Sequence, residues 1–106
     1  MVFDPDICRS LLFVPAGNER YLRSALRGDA DVIQIDLEDA IAPAQKERAR
    51  NSARSFVAQI AAAGRVAAVR VNGEEPLLGT DLEAVVYPGL AALTIPKVDT
   101  GAMLAQ

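Results

Sequence analysis

Four short apolar runs recur along this chain at near-regular intervals, with helix-like stretches between them. Ser10–Val14 (SLLFV) is stopped by Pro15 and Gly17, and Val32–Leu37 (VIQIDL), Val66–Val71 (VAAVRV) and Leu90–Ile95 follow. Runs of this length bounded by proline, glycine and charge suit buried strands. Asn18 is placed to cap a helix from Glu19 to about Arg27, with Tyr21, Leu22, Ala25 and Leu26 on one face and Gly28 and Asp29 as its stop. Pro43 stands where a first-turn proline belongs, ahead of an Ala-rich helix from about Ala44 to Ala63 closed by Gly64. Gly73–Gly79 reads as a loop. Thr80 with Glu83 reads as a capping box for a short helix over Asp81–Val86, ended by Pro88 and Gly89. Thr100–Gln106 opens a further helix.

Such alternation predicts parallel strands with helices outside, an α/β layout. Strand starts near residues 10, 32, 67 and 92 give a repeat of about 27 residues, so eight units would make about 220, close to a (β/α)8 barrel. The expected fold is the N-terminal half of such a barrel, about four βα units, with residues 1–106 as a truncated part of one domain. A half barrel has two open sheet edges and an uncovered inner face, so the chain reads as a fragment or as one that needs a partner. The alternative at this point is a small, open, doubly wound sheet.

Composition narrows the chemistry. The 106 residues are 51% hydrophobic and 24% charged, with net charge −3, which is a globular rather than a disordered composition. The basic residues are scattered and aromatics make up 5%, which argues against a nucleic-acid role. No run reaches the ~18 apolar residues of a membrane span, and the N-terminus has no signal-peptide pattern, so the expected location is cytoplasmic. The chain has one cysteine, Cys8, which reads as a small buried hydrophobe, and no histidine. Common zinc sites, Ser-His-Asp triads and histidine bases are therefore excluded, leaving carboxylates, Arg, Lys, backbone dipoles or an oxygen-ligated metal.

Charge gathers at the carboxyl ends of the expected strands, where α/β proteins bind ligands. The second strand ends in Asp36, Leu37, Glu38 and Asp39, the third in Arg70 and Asn72, and the fourth is followed by Lys97. Strand periodicity puts Gln34, Asp36 and Glu38 on one face and Ile33, Ile35 and Leu37 on the other. Arg70 has a structural alternative, an ion pair with Glu38 or Asp39. Glu38 and Asp39 can also serve the dipole of the following helix. Lys97 and Arg20 are also readable as solvated residues, and the Pro15–Asn18 turn is a weak anion-binding signal.

Four ordered blocks carry a resemblance. RSLLFVPAGNERYLRSAL, ADVIQIDLEDAIAPAQKERAR, VRVNG with GTDLEAV, and LTIPKVDT together resemble the N-terminal portion of the HpcH/HpaI aldolase and citrate lyase beta-subunit-like family. The most specific piece is DLEDAIAP, Asp36–Pro43, with Lys46 and Arg50 after it. The resemblance implies a (β/α)8 barrel that assembles as a homo-oligomer, often a trimer or hexamer. It implies Mg2+-dependent (or other divalent-ion) carbon–carbon cleavage of a 3-hydroxyacyl-CoA of the citryl-, malyl- or citramalyl-CoA class. Some relatives act on free 2-oxo-acid aldols or hydrolyse malyl-CoA. By the same resemblance, Arg70 binds the substrate carboxylate or enolate oxygen. Glu38 and Asp39 contact metal-bound water, and Phe13, Pro15 and Arg20 lie near the CoA arm. Lys97 falls in the PKV segment, with Asp99 where many relatives carry Glu. The family's direct metal ligands, a Glu and an Asp, lie on later strands beyond Gln106.

The chemistry is consistent with those residue types. Cleaving a bond beta to a carbonyl develops an enolate, which a divalent ion and a guanidinium stabilise in a dry site. Mg2+ keeps several waters, which suits Glu38 and Asp39 as holders of those waters. Arginine suits planar, bidentate carboxylate recognition. Two other classes fit the sequence: a non-catalytic half barrel that binds acyl-CoA or pairs with a partner chain, and a small open-sheet anion-binding module.

Overall fold

A computed structural model describes residues 10–86 and 88–96 of the chain. Cys8, Lys97, Asp99 and the helix expected over 100–106 lie outside the described residues. The element order is β1 (Leu11–Pro15), α1 (Glu19–Arg27), β2 (Val32–Asp36), a 3-10 turn (Pro43–Gln45), α2 (Lys46–Ala62), β3 (Val66–Arg70), α3 (Leu77–Val85) and β4 (Leu90–Thr94). No helix among the described residues is long and apolar enough to cross a membrane.

All four strands are parallel and lie side by side in sequence order, β1-β2-β3-β4. A doubly wound sheet reverses its strand order at a switch point and carries helices on both faces. Here the order does not reverse. The core cluster joins Val14, Ile33, Ile35, Ala67, Val69 and Val71 on one sheet face to Leu22, Ala53, Phe56, Val57 and Ile60 on the helices. The sheet is therefore singly wound, which sets aside the open doubly wound alternative. The opposite face, which would be the concave inside of the expected barrel, carries Leu11 and Phe13, 44% and 45% exposed.

Local sequence explains the elements. Asn18 caps α1 by accepting a hydrogen bond from the Tyr21 amide at 3.1 Å. Leu22 and Ala25 form its buried stripe, but Tyr21 is 53% exposed. The stripe on this nine-residue helix is narrow, and Tyr21 lies about 100° around the helix from Leu22. On α2, Ala49, Ala53, Phe56, Val57 and Ile60 recur at helical spacing and are buried against the sheet. Pro43 opens a 3-10 turn, so α2 itself begins at Lys46 rather than at Ala44. Gly64 takes φ +75° directly after α2, a conformation glycine adopts without Cβ strain.

The third helix departs from the capping-box reading. It begins at Leu77, four residues before the expected Asp81, and Thr80 lies inside it with its hydroxyl donating to the Pro76 carbonyl at 3.0 Å. A threonine that bonds back one turn is serving a helix interior, not capping its start. Leu78 and Leu82 pack on the core, so burial draws the helix start toward Pro76.

Candidate functional site

In-register parallel pairing sets one row of residues across the sheet. Pro15 pairs with Asp36, Asp36 with Arg70, and Arg70 with Thr94. The next row toward the amino ends holds Phe13, Gln34, Ala68 and Ala92. Both rows face the concave side, so the carboxyl ends of four strands deliver a polar layer there. Thr94 donates to the Gln34 side-chain oxygen at 2.7 Å within it.

Arg70 is the centre of this layer. Its Nε donates to Asp36 Oδ1 at 3.0 Å and its Nη2 to Asp36 Oδ2 at 2.8 Å, a bidentate pair. Glu38 Oε1 lies 3.5 Å from Nε and Asp39 Oδ2 lies 3.9 Å from Nη2. The guanidinium carbon stands 4.8 Å from the centroid of the Phe13 ring. Burial pushes the Asp36 carboxyl up, but hydrogen bonds from Arg70 and from the Glu38 and Ala40 amides outweigh it and hold the group below the ordinary carboxylate value. The hydrogen-bonded Asp36 carboxylate raises Arg70 above its ordinary value, against the effect of burial, with Glu38 and Asp39 adding to the rise.

The structural alternative, pairing of Arg70 with Glu38 or Asp39, is present at 3.5 and 3.9 Å, while Asp36 is the closer, bidentate partner. Arginine has five N–H donors. Among the described residues Asp36 takes one from Nε and one from Nη2, and Nη1 makes no hydrogen bond. The side chain is 22% exposed. Glu38 and Asp39 have side-chain exposures of 28% and 78%, and both carboxylates have lone pairs open to solvent.

The other sequence-derived candidates divide. Phe13 joins the cluster beneath Arg70. Pro15 shares the Asp36–Arg70 row and lines a cleft of about 580 Å³ with Gly17, Asn18, Ala40, Gln45 and Arg48. Arg20 is exposed on the first turn of α1 and, among the described residues, makes no hydrogen bond or ion pair with the Arg70 cluster.

A second polar network lies behind the β2 and β3 ends. Asp81 is 1% exposed and accepts from the Asn72 amide at 2.8 Å, from Asn72 Nδ2 at 2.7 Å and from Arg50 Nε at 2.9 Å. Lys46 Nζ donates to the carbonyls of Leu37 (2.9 Å) and Glu38 (2.7 Å) and to Asn72 Oδ1 (2.8 Å). Asn72 Nδ2 also donates to the Leu37 carbonyl at 3.0 Å. From the residues alone, Asp36 and Asn72 are legible as strand-end polar groups, but not the partnership of Asp36 with Arg70, nor the roles of Lys46 and Asp81. Counting strand registers from Pro15, Asp36 and Arg70 would have found that partnership.

Among the described residues no group of three or more His, Cys, Asp or Glu side chains could hold a metal ion directly. Asp36 already gives both oxygens to Arg70 and to backbone amides. Glu38 and Asp39 are the carboxylates left for a hydrated ion, and they fit hydrogen bonds to its waters.

Residues 9–106 match the model of the HpcH/HpaI aldolase/citrate lyase family. The chain belongs to that family. It is 34% identical over 99 residues to citrate lyase subunit beta of Leuconostoc mesenteroides subsp. cremoris, covering 92% of this chain and 33% of that protein. It is 39% identical over 97 residues to (3S)-malyl-CoA thioesterase of Cereibacter sphaeroides, covering 91% of this chain and 34% of that one. Among solved structures it is similar to CitE of Mycobacterium tuberculosis in complex with magnesium, acetoacetate and coenzyme A, with 35% identity and a TM-score of 0.62 over 87% of this chain and 33% of that one. The chain spans about a third of the length of these relatives. Its four parallel βα units align with part of the CitE barrel of this family.

Proposed function

We propose that this chain supplies the Arg70 side of the active site of a Mg2+-dependent carbon–carbon lyase acting on a 3-hydroxyacyl-CoA of the citryl-, malyl- or citramalyl-CoA class. Residues 1–106 are then the N-terminal part of one barrel domain, working as a homo-oligomer in the cytoplasm. The observation that carries the reading is the Arg70 fork. It is held by two hydrogen bonds to buried Asp36, and its side chain is still 22% exposed. Supporting it, a solved structure of a family relative, CitE of Mycobacterium tuberculosis, is a complex with magnesium, acetoacetate and coenzyme A.

In this reading Nη1 of Arg70 donates to the substrate carboxylate or to the oxygen on which enolate charge develops. Asp36 fixes the plane of the guanidinium before substrate arrives, so little reorganisation is needed as charge appears. Phe13 forms an apolar floor that keeps water from the face of the guanidinium. Pro15 and Arg20 lie toward the CoA arm. Glu38 and Asp39 would hold waters of the hydrated ion through their carboxylates. The bound ion supplies electrophilic stabilisation of the enolate.

The test is to incubate the natural full-length polypeptide with Mg2+ and each thioester and to identify the products. Release of acetyl-CoA, abolished by a chelator, supports the lyase. Free CoA with intact malate supports thioester hydrolysis, as the name of the Cereibacter sphaeroides relative, (3S)-malyl-CoA thioesterase, describes. A second reading, a non-catalytic half barrel that binds acyl-CoA beside a partner chain, is favoured by the exposure of Leu11 and Phe13 on the concave face. It predicts thioester binding without either product.

A further inference from the structure

The loop after β2 carries Glu38 and Asp39, and its conformation decides where those carboxylates stand. The Glu38 backbone is held from both directions. Its amide donates to Asp36 Oδ1 at 2.9 Å, and its carbonyl accepts from Lys46 Nζ at 2.7 Å. The preceding carbonyl, of Leu37, accepts from the same ammonium at 2.9 Å. The third bond from Lys46 goes to Asn72 Oδ1 at 2.8 Å, and Asn72 is itself anchored on buried Asp81. All three ammonium donors are thus spent on oxygens that belong to the ends of β2 and β3. Among the described residues Lys46 forms no ion pair, so its charge is directed to neutral oxygens of the site's own framework.

We propose that Lys46 is a positioning residue for the active site: it ties the β2 exit to the β3 exit and so fixes Glu38 beside Arg70. This deepens the lyase reading and rests on it. Lys46 touches neither Arg70 nor the Glu38 carboxylate in the structure; it acts through the backbone of the loop. A flexible stem ending in three donors suits carbonyls arriving from three places, which a planar guanidinium meets less well. Lys46 is the first residue of α2.

The test compares wild type with Lys46→Met and Lys46→Gln in the natural full-length polypeptide, using two readouts. The first is amide hydrogen exchange at Glu38 and Ala40, whose amides bond to Asp36. Loss of the clamp is expected to speed exchange there by roughly tenfold for Lys46→Met, with an intermediate rise for Lys46→Gln, while β3 core amides stay within about twofold. The second is steady-state kinetics, with kcat expected to fall roughly tenfold and KM for the thioester to change less than about threefold. Unchanged exchange at Glu38 and Ala40 in both variants overturns the proposal, whether or not the wild type is a lyase. Faster exchange with unchanged kcat in an active enzyme overturns it as well. If the wild type yields no product, the lyase reading fails, and exchange alone then decides whether Lys46 fixes the loop. If Lys46→Met does not fold, Lys46→Gln is read by the same criteria.

Discussion

Asp36 and Arg70 are opposed on adjacent parallel strands and joined by two hydrogen bonds, Nε to Oδ1 at 3.0 Å and Nη2 to Oδ2 at 2.8 Å. The carboxylate is also fixed by two backbone amides from its own loop, so it orients the guanidinium from a rigid base. The pair links the architecture of the sheet to the chemistry of its concave face.

Removing the Asp36 charge leaves a partly buried guanidinium without its main partner. Asp36→Asn is expected to lower unfolding stability by about 2 kcal/mol, less than for a fully buried pair because solvent still reaches Arg70. Urea denaturation of both proteins measures it, and an unchanged midpoint at unchanged slope would show that the pair is energetically idle.

The same carboxylate gives a pH signature. Its value is held below the ordinary 3.8 in the folded chain. A depressed folded-state value makes the contribution complete above the unfolded value and diminishes it as pH falls through that value toward the folded one. The stability gap between wild type and Asp36→Asn is therefore expected to be constant near neutrality and to shrink below about pH 4. A gap that persists unchanged into stronger acid contradicts the assignment.

At the opposite end of the sheet Arg65, among the described residues, hydrogen-bonds backbone carbonyls. It donates to the carbonyls of Leu26 (3.2 Å), Gly28 (3.0 Å) and Ala30 (2.8 Å), closing the end of α1. In barrels this end serves stability and the carboxyl end serves chemistry. Arg65→Ala is expected to cost about 1–2 kcal/mol while leaving kcat and KM unchanged. Differential scanning calorimetry and a thioester assay on the same preparation test both halves of that statement.

The buried Asp81 collects three donors from Asn72 and Arg50. Asp81→Ala strands those donors in the interior, and a loss of about 3–5 kcal/mol is expected. Thermal melts read this loss directly; a small shift would mean that water replaces the carboxylate.

Much of this was legible in the sequence. Proline and glycine punctuation set each strand within a residue or so, and Asn18 and Gly64 marked the helix ends through side-chain capping and left-handed backbone. The start of α3 was not legible, because Thr80 and Glu83 imitate a capping box while the burial of Leu78 and Leu82 sets the actual start. In the site, Glu38 and Asp39 drew attention as an acidic run, but the partner of Arg70 is fixed by strand register, a relation between distant segments. Asp81 stands at the expected start of the third helix, and only tertiary contacts reveal it as the buried anchor of Asn72.

The central claim is that Arg70 meets the reacting substrate through a guanidinium held by Asp36. The most direct measurement is kcat/KM for thioester cleavage by the natural full-length polypeptide, wild type against Arg70→Lys. Lysine keeps the charge but lacks the planar fork that pairs with both Asp36 oxygens while directing a further N–H in a fixed direction, so a loss of roughly tenfold or more is expected. Cleavage by Arg70→Lys with wild-type kcat/KM would contradict the account and return Arg70 to a purely structural role.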